Sequence, residues 1–101
     1  MASRLELHEI LCEILNNRNV YFQPPESVKM NYPAIVYSRT NIENTFADNT
    51  VYIQANAYEV TVIYKDPDSE LPTKVSTLPM CRFNRHFTSD NLNHDVFTLY
   101  H

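Results

Sequence analysis

The chain contains no glycine, and across 101 residues that absence restricts its architecture more than any residue it does contain. Average usage near 7% would supply about seven. Glycine-rich phosphate cradles and dinucleotide fingerprints need glycine where the backbone approaches the ligand, so P-loop and Rossmann chemistry are excluded. Positions that require positive φ must then fall to asparagine or aspartate, which tolerate the left-handed region best after glycine. Asn17, Asn19, Asn49 and Asn91 each stand at an expected turn.

The segment 51–64, V-Y-I-Q-A-N-A-Y-E-V-T-V-I-Y, has nothing in it to stop an extended backbone. Tyr58, Val60, Val62 and Tyr64 alternate with Glu59, Thr61 and Ile63, the period-two signature of a strand rich in β-branched and aromatic residues. Unbroken, it would span roughly 46 Å at about 3.3 Å per residue. A compact domain of this length has a radius of gyration of only about 13 Å. The strand must therefore bend near 54–57, or its first half must leave the body as an arm.

Length allows one domain over 1–101 with one core. The net charge is −4 and the eight basic residues are scattered, so no electrostatic footprint for nucleic acid or an anionic membrane is present. No run approaches the eighteen or so apolar residues of a membrane span, and the N-terminus has no signal-peptide pattern. A soluble, intracellular chain without a membrane partner is expected. Cys12 and Cys81 match no metal or redox spacing and read as buried free thiols.

Ser3-Arg4-Leu5-Glu6 reads as a capping box opening a helix to about Asn16. Leu7, Ile10, Leu11, Ile14 and Leu15 share one face of that helix, and Glu6, Glu9 and Glu13 form an acidic stripe nearly opposite. The stripe is either a solvated face or a surface for a basic partner. Tyr21-Phe22-Gln23-Pro24-Pro25 lies in an expected linker over 20–30, where paired prolines rule out a central strand. Pro33 opens a strand running to Tyr37, and Asp48-Asn49 is the expected tip of a hairpin. Residues 39–57 then form the arm, or else a surface loop. Asp66, Asp68 and Glu70 crowd the start of a second helix expected over 69–78, with Pro72 in its first turn and Pro79 ending it. Two further strands, 81–88 and 95–100, flank a loop over 89–93. The expected fold is α+β, in the order α-β-β-α-β-β, with about four strands in one sheet, both helices on one face and a projecting β-hairpin arm.

No constellation carries chemistry convincingly. Ser89, Asp90, His94 and Asp95 supply the residue types of a hydrolase triad, but such residues also gather wherever a turn is polar. Cys81, His86 and His94 match no common zinc spacing. The alternation Asp66, Asp68, Glu70 lacks the turn glycine and distal glutamate of a calcium loop. An interaction module, with no cofactor or metal and no catalytic residues, is the reading that remains.

Several motifs fall in a telling order: Leu5-Glu6-Leu7-His8, Tyr21-Phe22-Gln23-Pro24-Pro25, Tyr32-Pro33-Ala34-Ile35-Val36-Tyr37 and Ala47-Asp48-Asn49. Tyr58-Glu59-Val60-Thr61-Val62-Ile63, Asp66-Pro67-Asp68-Ser69 and Asn91-Leu92-Asn93-His94-Asp95 follow. Together they cover nearly the whole chain, which resembles the tail-completion or tail-terminator proteins of long-tailed bacteriophages. The resemblance implies a virion protein of the neck, assembled in the host bacterial cytoplasm. It implies a hexameric ring of the chain with itself that caps the tail tube, ends its growth and presents the head-tail joining surface. The major tail tube protein and a head-side connector or stopper are the implied partners, and DNA passes through without specific recognition. The subunit contact is then expected on the arm, at Phe46, Asp48, Asn49, Tyr52, Gln54 and Asn56. A head-side adaptor or stopper of the same neck, a small hydrolase using His94, and a ring-free adaptor domain are the competing readings.

Overall fold

The computed structural model describes residues 4–24, 30–47 and 50–101, with backbone alone for 41–47 and 50–55. Its elements are helix α1 (Arg4–Leu15), strands β1 (Val20–Phe22), β2 (Ala34–Ala47) and β3 (Thr50–Tyr64), helix α2 (Leu71–Ser76), and strands β4 (Cys81–Ser89) and β5 (Leu92–Tyr100). The fold is α+β, with a single five-stranded sheet in the order β1-β2-β3-β5-β4 and two helices. Every pairing is antiparallel except β1 with β2.

Strand alternation sets the core. Tyr58, Val60, Val62 and Tyr64 turn one face of β3 towards the helices, and the register brings Tyr37 and Phe97 alongside Val60, Ile35 alongside Val62, and Leu99 alongside Tyr58. Onto that face α1 places Leu7, Leu11 and Leu15, spaced four apart, together with Cys12, while α2 contributes Val75. Ile14 is half-buried against the same cluster. Tyr37 is the aromatic centre, with Phe22 at 4.9 Å and Tyr58 at 6.0 Å between ring centroids.

Several expectations need correction. The described residues form five strands where about four were expected, because Val20–Phe22 pairs in parallel with residues 35–37. The paired prolines forbid a central strand, and β1 is accordingly a three-residue edge that stops before Pro24. The second helix is six residues long and its expected acidic start is not a side-chain cap: Glu70 makes no capping hydrogen bond. The Asp66 carboxylate instead accepts from the Asp68 amide at 2.9 Å, closing its own turn, and Ser69 Oγ accepts from the Leu71 amide at 3.3 Å. The loop over 89–93 shrinks to Asp90-Asn91, both at positive φ (53° and 62°), a two-residue hairpin of the type that matches strand twist. The helix α1 does end where expected, at Asn16, which takes φ 61° with its amide bonding the Cys12 carbonyl at 2.9 Å. Gln23 and Met80 also take positive φ, so asparagine and aspartate do not carry that role alone. Ser3 of the capping box and the tip residues Asp48 and Asn49 lie outside the described residues.

Candidate subunit-contact surface

The length of β3 divides at Ala57. From Ala57 to Tyr64 the strand has β2 on one edge and β5 on the other. The last rung on the β5 side is the reciprocal pair of Asn56 and His101, whose amides bond each other's carbonyls at 3.3 and 2.9 Å. On the far side, β1 accompanies β2 only to Tyr37, extended by the Gln23 amide to the Tyr37 carbonyl at 2.9 Å and the Arg39 amide to Gln23 Oε1 at 3.3 Å. Beyond those points residues 41–47 and 50–56 pair with each other, up to Ala47 opposite Thr50, and no third strand joins them among the described residues.

A bulge marks the root of this ribbon. The register shifts between Arg39 and Asn41, leaving Thr40 as the extra residue, and Thr40 Oγ1 donates to the Ala57 carbonyl at 3.3 Å. Seven residues per strand carry the ribbon roughly 23 Å outward. The molecule measures 51 × 26 × 23 Å, with a radius of gyration of 14.6 Å against about 13 Å for a compact chain of this length. Phe46, Tyr52 and Gln54 lie on this ribbon, with side chains outside the description, while Asn56 is half-buried at its root.

A second long edge lies on the opposite side of the sheet. β4 pairs with β5 along its inner side from Cys81 to Ser89, and its outer side meets no strand among the described residues. After Cys81 every residue of β4 is exposed, whichever face it points to. Phe83 is 55% and Phe87 39% exposed even though Phe83 packs edge-on against Phe97 and Phe87 stacks on His94. Arg82 and Arg85 make the strand cationic, and Arg85 sits over the Phe87 ring at 5.7 Å and 4.0 Å from Glu59.

One polar cluster pins β4 and β5 to the core. Asp95, only 6% exposed, accepts the Tyr64 hydroxyl at 2.6 Å through Oδ2 and faces His86 Nδ1 at 2.5 Å through Oδ1. Burial, then the bond and charge of Asp95, push the Tyr64 phenol up to about 12. In sequence Asp95 groups with polar turn residues and His86 matches no zinc spacing; their partnership has no local signal because cross-strand register decides it. His94 points to the other face, with Nδ1 3.1 Å from the Leu92 carbonyl, so neither the Ser89–Asp90–His94–Asp95 group nor Cys81, His86 and His94 is brought together. No serine, threonine or cysteine hydrogen-bonds the His86 ring, and no group of three or more His, Cys, Asp or Glu could hold a metal ion, among the described residues.

The helix carries its own network. The Tyr37 hydroxyl accepts from Arg4 Nη1 at 3.2 Å and stands 2.8 Å from His8 Nδ1. Burial, aided by the charges of Arg4 and Arg18, lowers the His8 pKa, so the neutral ring that can accept the Tyr37 proton is favoured. Glu6, Glu9 and Glu13 are exposed as expected of the acidic stripe. Arg18 clamps Glu9 with two bonds of 3.0 and 3.1 Å, which hold that carboxyl below its ordinary value. Among the described residues no helix is long and apolar enough to cross a membrane. Comparison with family models, with curated proteins and with solved structures gives no match.

Proposed function

We propose that this chain is a structural protein of a bacteriophage neck, a tail terminator that assembles into a ring on the tail tube, ends its polymerisation and offers the head-joining surface. The observation that carries the reading is the two-stranded ribbon of residues 41–47 and 50–55, which continues past the Asn56–His101 rung with both outer edges unpaired among the described residues. An exposed strand edge is a template for another chain, and natural monomers usually blunt or cover theirs. A ribbon of this length on so small a body is explained by a neighbour that receives it. The motif order that resembles tail terminators supports the same reading.

In this reading the ring is a hexamer of identical chains, the tail tube protein binds one of its faces and the head-side connector the other. The virion neck is then the site of action, and DNA crosses the lumen without specific contact. A net charge of −4 suits that passage, because carboxylates along a channel repel the DNA backbone instead of gripping it. The experiment is electron microscopy and light scattering of the full chain, alone and with tail tube protein, beside a variant lacking residues 42–51. The full chain should form rings, on its own or on tube ends, while the deletion keeps native circular dichroism and stays monomeric. Rings formed by the deletion variant would remove the arm from the contact. A full chain that neither forms rings nor binds tube ends overturns the terminator function itself.

A further inference from the structure

We infer that the receptor for the arm is the outer edge of β4 on a second copy of this chain, so that each copy gives its ribbon to one neighbour and takes the ribbon of the other. The partner identity builds on the ring reading; the pairing of these two edges stands on its own observations.

The sheet has two outer edges, and they are built differently. β1 is three residues long and followed by Pro24, the features that make an edge a poor template. β4 is nine residues long, exposed on both faces and furnished with Phe83 and Phe87 at 55% and 39% exposure. A seven-residue ribbon strand fits along it with room at the ends. Charge then selects the occupant. The sequence of β4 contains Arg82 and Arg85 and no carboxylate. In sequence, residues 41–56 include Glu43 and Asp48 and neither lysine nor arginine.

The arginines repel a basic strand, and the bulge at Asn84, where the register shifts between Phe83 and Arg85, disfavours indiscriminate pairing. A second β4 is repelled for the same reason, and two ribbons repel each other. The favoured contact therefore joins unlike edges. Such a heterologous contact repeats head to tail, closing into a ring when its rotation divides the circle and running on as a filament when it does not.

A crosswise charge exchange tests this directly. One variant carries Arg82→Glu and Arg85→Glu; the other carries Glu43→Lys and Asp48→Lys. Self-association of each full-length chain is measured by sedimentation velocity at low salt, with circular dichroism as the check on folding. Each variant alone should associate roughly tenfold more weakly than the parent chain. The two mixed in equal amounts should recover the parent affinity, since every contact is again between opposite charges, and so should one chain carrying all four substitutions. The recovered association should weaken with added salt.

Recovery in the mixture excludes like-with-like contacts, which would leave one of the two variants unimpaired. Unchanged association of both variants overturns the inference while leaving the ring reading intact. β4 substitutions that weaken binding to tail tube protein, with self-association unaltered, assign the edge to the tube and also overturn it. Charge-exchange behaviour in open filaments that never close supports the edge pairing and counts against the ring. A parent chain that stays monomeric at every accessible concentration, with and without tube protein, sinks both.

Discussion

Tyr64→Phe is the sharpest probe of how the second edge is held in place. The substitution deletes one hydroxyl and keeps the ring, so it opens almost no cavity; what is lost is the 2.6 Å bond to Asp95 Oδ2. Tyr64 is 7% and Asp95 6% exposed, so water cannot readily replace the missing donor. A hydrogen bond to a charged group contributes about 1.5–3 kcal/mol. For a domain of about this size each kcal/mol shifts the midpoint by about 4–8 °C, which places the fall in Tm between about 6 and 24 °C. With no tryptophan in the chain, far-UV circular dichroism is the assay.

The same variant has a second signature at high pH. A tyrosine raised from its ordinary value to about 12 remains neutral in the folded protein while the unfolded chain ionises. Its contribution is fully present below about pH 10 and is lost as pH rises towards 12. The parent protein should therefore lose stability across that window more steeply than the phenylalanine variant. A variant with unchanged Tm at pH 7, or an alkaline slope equal to the parent's, would show that the hydroxyl is not bonded to Asp95, and the account of the pinned edge would fail with it.

Two further outcomes follow from the helix side of the core. His8 is favoured in its neutral form by burial and by Arg4 and Arg18, so its contribution is present above about pH 6.5 and lost as pH falls through the lower folded value; His8→Gln should flatten the urea-midpoint profile between pH 5 and 7, and a His8 ring titrating above 6.5 by NMR contradicts the assignment. Leu11 is fully buried between α1 and the sheet, so Leu11→Ala should cost about 2–5 kcal/mol by urea denaturation, and a loss below 1 would mean that α1 does not pack as described.

What the sequence disclosed, and what it withheld, follows from the range of the interactions involved. The alternation of Tyr58, Val60, Val62 and Tyr64 and the four-residue spacing of Leu7, Leu11 and Leu15 are local periodicities, and both core faces were legible from them. Val20–Phe22 is too short to display a period, and it is a strand only because β2 offers an edge beside it. The helix after Tyr64 is shorter than the sequence predicts because the carboxylates before it can serve either a helix dipole or their own turn, and Asp66 serves the turn. The strand expected from Asp95 begins instead at Leu92, three residues earlier, because the Asp90-Asn91 hairpin is tighter than a five-residue loop, and the register that pairs Asp95 with His86 has no local signal. The positive φ values of Gln23 and Met80 have no sequence signal at all.

The length of segment 51–64 is legible for another reason, since a strand can be compared directly with the body that must hold it. Three features that need not coincide all fall at Ala57: β5 ends opposite it at Tyr100, Thr40 bulges out to bond its carbonyl, and its neighbour Tyr58 forms the last aromatic contact of the core with Tyr37. Past that point the chain has no further layer to cover the ribbon among the described residues. A two-stranded ribbon is at best marginally stable alone in water, because its backbone bonds form without a buried face to offset the entropy of ordering. Such a ribbon is therefore best stabilised where a second surface completes it. The cationic, aromatic edge of β4 has the length and the charge for that role, yet within one chain it stands two strands away from β3, beyond β5. An edge that is complementary in charge but out of reach within its own chain is the ground for proposing that a second copy supplies it.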